Sequence, residues 1–160
     1  MSMTQNEEET IWNTDARGRL LAAKIAAYVH GDQTRRGGEP YMMHIQDVVV
    51  RVEERYSADL DLENLINIAI MHDVLEDCKK EDYSKLLNLI KDNFPISVTS
   101  SVYDISKIYH TDYSTYIQVV KENKLAAKVK ICDMLANLSD NPTDKQILKY
   151  SYALQQLLPS

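Results

Sequence analysis

Four residues of this 160-residue chain carry groups that do chemistry only when brought together: His44, the adjacent pair His72-Asp73, and Asp133. Each stands in an apolar stretch with helical periodicity. Asp133 follows Val129-Lys130-Ile131-Cys132 and precedes Met134-Leu135, while His72-Asp73 follow Ala69-Ile70-Met71. A carboxylate inside such a run is costly to bury unless it is paired or bound to a metal. Two imidazoles and two carboxylates form a mixed nitrogen and oxygen donor set. That set suits Mn²⁺, Fe²⁺, Co²⁺ or Zn²⁺ better than Ca²⁺, which prefers oxygen alone. An ion held this way polarises a phosphoryl group and lowers the pKa of bound water.

Other residues could work beside this set. Glu76 and Asp77 follow the His-Asp pair by one helical turn and can act as general base, a service worth roughly 10²–10⁴-fold. Arg35 and Arg36 offer planar cations for stacking and for phosphate. Gly37 and Gly38 let that loop come close to a ligand. Lys107, Lys124 and Lys130 are candidate phosphate contacts. Taken singly, each has an ordinary reading: His44 as a core histidine, Asp133 paired with Lys130, Glu76-Asp77 as a solvated helix end, the lysines and Arg36 as surface charges. Order, spacing and context together favour the chemical reading. Tyr is abundant, ten against one Phe, and Tyr103, Tyr109, Tyr113 and Tyr116 cluster. They suit either helix packing, the commoner case, or a half-wet cleft.

The elements that must position these groups read as helices. Apolar spacing predicts a first helix from Thr14 to near Gly31, with Tyr28 and His30 on its stripe. A basic loop, Asp32–Pro40, leads into a helix reaching about Tyr56, with Met43, Val48 and Val52 among its apolar positions. A third covers about Leu62–Leu75 and is central by composition; a fourth spans about Tyr83–Asn93, stopped before Pro95. A fifth lies around Ile96–Ile108, where β-branched residues at Ser97–Tyr103 weaken the helical signal. Tyr109–Tyr113 connects to helices at about Ser114–Glu122 and Leu125–Leu138. After the Asn141-Pro142 turn, a last helix at about Thr143–Leu158 packs Ile147, Leu148, Tyr150, Ala153, Leu154 and Leu157. The expected fold is all-α: one domain over 14–160 behind a flexible acidic leader, 1–13.

Composition narrows the class. A chain of this length buries roughly 70% of its unfolded surface and needs no staples. Four Gly and four Pro disfavour a turn-rich β fold, and a net charge of −6 argues against a nucleic-acid partner. Cys78 and Cys132, far apart, read as buried reduced thiols. The apolar runs fall short of the ~20 residues that span a bilayer, and the start is polar, so a cytoplasmic protein without a membrane partner is expected.

With these motifs in order, the chain resembles the hydrolase domains of the RelA/SpoT type within the HD superfamily, closest to stand-alone small alarmone hydrolases. The resemblance rests on Ala27-Tyr28-Val29-His30, on Gln33-x-Arg35-Arg36-Gly37-Gly38-Glu39-Pro40-Tyr41-Met42-Met43-His44, on His72-Asp73-Val74-Leu75-Glu76-Asp77, and on Val129-Lys130-Ile131-Cys132-Asp133-Met134-Leu135-Ala136-Asn137-Leu138. It implies a helical HD-domain fold and an ion, commonly Mn²⁺, held by His44, His72, Asp73 and Asp133. It implies water activation by Glu76 and Asp77, and nucleotide contacts from Arg35, Arg36, Tyr41 and Asn137, with Lys130 added from the residues. The implied reaction removes the 3′-diphosphate of ppGpp or pppGpp, giving GDP or GTP and pyrophosphate. Three departures stand out: Ile45 where the family usually has Pro, Met134 for a frequent Arg, and Ser139-Asp140 after Asn137. They spare the metal set and bear on the substrate. Hydrolysis of another phosphorylated nucleotide, such as the 2′-phosphate of NADPH, and nucleotide binding without turnover are the rival readings.

Overall fold

Helix α1, Arg17–His30, begins the described part of the computed structural model, which covers residues 17–108 and 112–159. It is followed by α2 (Tyr41–Arg55), α3 (Leu62–Met71), the short α4 (Val74–Asp77), a 3₁₀ turn at Lys80–Asp82, α5 (Tyr83–Asn93), α6 (Ile96–Ile105), α7 (Tyr113–Glu122), α8 (Lys124–Leu138) and α9 (Asp144–Leu157). Among the described residues there is no strand, only an isolated bridge pairing Thr34 with Pro40. No helix among them is long and apolar enough to cross a membrane. The expected leader and Tyr109 lie outside the described residues.

The core has two parts, and α8 serves both. The larger gathers α1 to α6 around α3, whose Leu65, Ile66, Ile68, Ala69 and Met71 are almost fully enclosed. The smaller joins α7, α8 and α9 through Tyr116, Ile117, Val120, Tyr150, Ala153 and Leu157. Val129, Cys132 and Ala136, at helical spacing, face the first part; Ala127, Ile131 and Met134 face the second. A third stripe of α8, Lys130, Asp133 and Asn137, lies on the seam between them.

Several ends differ from the sequence reading, each for a local reason. The third helix stops at Met71 instead of running to Leu75, and Val74–Asp77 forms a separate turn. His72 and Asp73 therefore sit at a break, with Asp73 at φ −104°, ψ 1°. Helix α6 ends at Ile105, three residues early, where the Ser106 hydroxyl bonds the Val102 carbonyl and the backbone turns extended. The last helix opens with a reciprocal cap, Thr143 and Gln146 each bonding the other's backbone. Ile147 and Leu148 of that helix point outward, and Met43 and Tyr28 are also exposed; each sits off the core-facing stripe of its helix. Cys132 is buried as expected, but Cys78 is only half-buried beside a surface cavity.

Because α3 is buried all round from Leu65 to Met71, Ile68→Ala is expected to cost about 2–5 kcal/mol of unfolding free energy. Urea denaturation followed by circular dichroism reads this; a loss under ~1 kcal/mol would show that α3 is not the packing centre.

Candidate active site

Three elements bring the acid and imidazole groups to one point. On α2, His44, Val48 and Val52 share the buried face, which places His44 on the core side of the first turn. On α8 the same logic puts Asp133 inward, and the break after Met71 turns His72 toward both. His72 Nδ1 donates to the Ala69 carbonyl at 2.7 Å, one of the carbonyls freed where α3 ends. That bond leaves the Nε2 lone pair facing the cluster, the arrangement by which a second hydrogen bond prepares an imidazole for a metal.

Donor atoms of His44, His72 and Asp133 all lie within 4.8 Å of one another, and all three residues are buried. His44 Nε2 is 2.9 Å from Asp133 Oδ1. His72 Nε2 is 3.1 Å from Asp73 Oδ2 and 3.3 Å from Asp133 Oδ1, yet makes a well-formed hydrogen bond to neither. An enclosed ring nitrogen crowded by two carboxylates and bonded to none fits a shared cation. Asp73, expected as a fourth donor, lies beside this trio: its Oδ2 is near His72 Nε2 and accepts from the Tyr41 hydroxyl. Asp133 also accepts from Lys130 Nζ at 2.8 Å and from Asn137 Nδ2 at 3.3 Å.

Burial and charge oppose each other here. Burial alone would lower the pKa of His72, but the Asp73 and Asp133 carboxylates reverse this and raise it well above 6.5. Burial alone would raise both aspartates. His72 instead brings Asp73 down to about 2, and Lys130, His72 and His44 hold Asp133 well below its usual range. The carboxylates are thus ionised and the site strongly favours a cation, protonic or metallic.

A cavity of about 340 Å³ opens over this cluster. Arg35, Arg36, Tyr41, Asp73, Glu76, Lys130, Asp133 and Asn137 all line it. Arg35 is held there by the Asn137 side-chain oxygen at 2.8 Å and by Asp140 at 3.3 Å. Arg36 bonds the Asn141 carbonyl at 3.1 Å. The loop carrying both closes through Gly38 N–H to the Arg35 carbonyl, and Gly38 takes φ 91°, where a side chain would be strained. Glu76 faces the cavity and accepts from the Lys107 backbone N–H at 2.6 Å. Asp77 instead lines a second cavity behind it, its Oδ2 taken by Gln33 Nε2 at 3.1 Å. Burial first, then Asp73, raise the pKa of both carboxyls.

Sequence reasoning identified only part of the lysine and tyrosine wall of the cavity. Lys107, a candidate, and Lys149, which was not, hold their ammonium groups 5.2 and 4.7 Å from the centre of the Tyr113 ring. Among the described residues neither makes a carboxylate ion pair. Burial, then the charges of Lys107 and Lys130, lower the pKa of Lys149. The Tyr113 hydroxyl is buried without a hydrogen-bond partner among the described residues, and burial pushes its pKa to about 12. Tyr116 and Tyr150 complete this wall, whereas Tyr103 and Lys124 are exposed and do not line the cavity. A lysine on an amphipathic last helix gives no sequence signal, because its role depends on where α9 docks. Lys130, named as a substrate contact, has its ammonium engaged by Asp133.

No family model matches the chain. Over 125 residues it is 30% identical to the guanosine-3′,5′-bis(diphosphate) 3′-pyrophosphohydrolase of Aquifex aeolicus (strain VF5), a match covering 73% of this chain but only 17% of that protein. A solved structure described as a metazoan ortholog of SpoT that hydrolyzes ppGpp and plays a role in starvation responses superposes with a TM-score of 0.64 at 21% identity, covering 88% of this chain and 83% of the other. The chain therefore has the all-α fold of that SpoT-type hydrolase.

Loss of a donor should be felt directly in metal binding. His72→Ala and Asp133→Asn are each expected to weaken Mn²⁺ binding by at least the roughly 10–100-fold that follows loss of a supporting partner. Titration calorimetry on variants with wild-type helical content measures this, and unchanged affinity in either would exclude that residue as a ligand.

Proposed function

We propose that this protein is a metal-dependent phosphohydrolase that removes the 3′-diphosphate of ppGpp and pppGpp. The observation that carries the reading is His72 Nε2, locked by its Ala69 bond to face two carboxylates with which it forms no proper hydrogen bond. The fold shared with a SpoT-type hydrolase and the 30% identity to a ppGpp 3′-pyrophosphohydrolase support it. His44, His72, Asp73 and Asp133 would hold the ion, with Mn²⁺ as the expected occupant. When bound, it supplies Lewis-acid polarisation of a phosphoryl oxygen and acidifies water.

The chain's own residues do the rest. Glu76, at the cavity wall with an elevated pKa, accepts the proton of the attacking water. Its Lys107 hydrogen bond holds that carboxylate still. Asp77, held by Gln33 beside Glu76, lends its charge to the same acidic wall. Arg35, braced by Asn137 and Asp140, presents a flat guanidinium on which a purine can stack. Lys107 and Lys149, which make no carboxylate ion pair among the described residues, receive phosphate from the cavity wall. A nucleotide phosphorylated at two places thus meets cations from two parts of the chain, and binding energy fixes the reacting phosphorus over the acidic centre. Release into the cytoplasm's nucleotide pool follows from this reading.

Mn²⁺-loaded protein is expected to release pyrophosphate and GDP from ppGpp, with turnover abolished by chelator and in Asp73→Ala; ion chromatography of products tests this, and an absence of pyrophosphate would overturn the assignment. Glu76→Gln should lower kcat by roughly 10²–10⁴-fold with little change in KM. Lys149→Ala should raise KM for ppGpp by about tenfold or more, the loss of one charge-assisted phosphate contact. Steady-state kinetics separates the two effects, and a Lys149→Ala enzyme with unaltered KM would remove that lysine from the phosphate end.

A further inference from the structure

The mechanism leaves one buried imidazole unused. His30, the last residue of α1, is fully enclosed, and its Nε2 has no hydrogen-bond partner among the described residues. An orphaned buried nitrogen is costly, and a leucine or methionine would fill the space without that cost. What His30 touches gives the reason for keeping it. Its Nδ1 lies 2.8 Å from Gln33 Oε1 and 3.8 Å from Asp77 Oδ2. Gln33 Nε2 in turn donates to the same Asp77 oxygen at 3.1 Å. The other face of the ring packs against Tyr41, centroid to centroid 4.8 Å, and Tyr41 is the hydroxyl that donates to Asp73.

The direction of this chain is fixed by chemistry. Only the NH₂ of Gln33 can face a carboxylate, so its carbonyl must face His30. A carbonyl only accepts, so His30 Nδ1 must carry the proton. Gln33 is also pinned by its backbone: its N–H bonds the His30 carbonyl at 3.0 Å, and its carbonyl receives the Tyr41 N–H at 2.8 Å. Its side chain therefore has little freedom beyond the one pose. The same residue lines both the main cavity and the one behind Asp77, so it forms part of the wall between them.

We propose that His30 is a positioning residue, which through the Gln33 amide sets the orientation of the Asp77 carboxylate and through its ring face sets the Tyr41 hydroxyl on Asp73. It touches neither substrate nor ion. Its effect is to hold two of the acidic groups at fixed angles from behind, as outer partners do at metal sites. The inference rests on the hydrolase reading for its kinetic consequence but not for its structural one.

Two measurements separate the two. In full-length protein with ¹⁵N-labelled histidine, the His30 signal, assigned by its disappearance in His30→Asn, is expected to show the Nδ1–H tautomer, the minor form of free imidazole. That pattern should be lost in Gln33→Leu. In ppGpp hydrolysis, Gln33→Leu and His30→Phe are expected to lose roughly 10–100-fold in kcat with KM within twofold of wild type. His30→Asn, whose amide can still donate to the Gln33 carbonyl, should recover most of the loss. If His30→Phe does not fold, Gln33→Leu, at a partly exposed loop position, carries the kinetic arm. An Nε2–H signal, or wild-type kcat in Gln33→Leu, would overturn the proposal. Should wild-type protein turn over no ppGpp at all, the hydrolase reading fails, and the tautomer measurement alone decides whether the His30–Gln33–Asp77 chain exists.

Discussion

The site depends on one electrostatic constraint: a buried carboxylate, Asp133, and two buried imidazoles, His44 and His72, share a small volume with the Asp73 carboxylate at its edge. Asp133 is nearly inaccessible, and water cannot screen its charge against Asp73. The protein offsets this with specific partners rather than solvent. Lys130 and Asn137, one turn before and after on the same helix, bond Asp133, and the Tyr41 hydroxyl bonds Asp73. Even so, His72 Nε2 is left between acceptors without a bond of its own. That residual mismatch is what a divalent ion would relieve.

The helices meet this requirement through ordinary packing. The four-residue recurrence of His44, Val48 and Val52 makes one face of α2 both a core surface and the carrier of a cluster imidazole. The two-sided burial of α8 forces its third stripe onto the seam between the core's halves, which is where the cavity opens. The interruption after Met71 has a similar double effect. It ends a helix whose carbonyls need a partner, and the side chain that supplies one is His72. Local helix termination and site assembly are the same event.

Charge is distributed unevenly for a purpose the overall balance hides. The chain carries a net charge of −6, yet two guanidinium-bearing and three ammonium-bearing side chains, Arg35, Arg36, Lys107, Lys130 and Lys149, line the cavity. Aromatic rings substitute for carboxylates around the lysines: Tyr113 lies beneath both Lys107 and Lys149. A ring face stabilises a cation without neutralising it, so these ammonium groups stay available to an anion. Net charge governs encounter and solubility, and a few placed side chains govern what binds.

By itself the sequence determined the all-helical class and most of the helix positions, and it singled out His44, His72 and Asp133, whose donor atoms the fold brings within 4.8 Å of one another. Tyr83–Asn93 reads directly from apolar spacing and the following Pro95, because a helix stop and a 3.6-residue period are local properties. The donor set was legible because a His or Asp within an apolar run is anomalous on local grounds. Local pattern did not place the break at His72-Asp73, because the apolar spacing runs on through Val74 and Leu75, which are also buried. It could not separate Glu76, facing the cavity, from Asp77, held from behind by Gln33. Lys149 gave no signal, Tyr113 could be read as packing or as pocket wall, and the pairing of Lys130 with Asp133 was one of two open readings. Those assignments depend on which helix faces which, a relation between residues distant in the chain that only the folded arrangement sets.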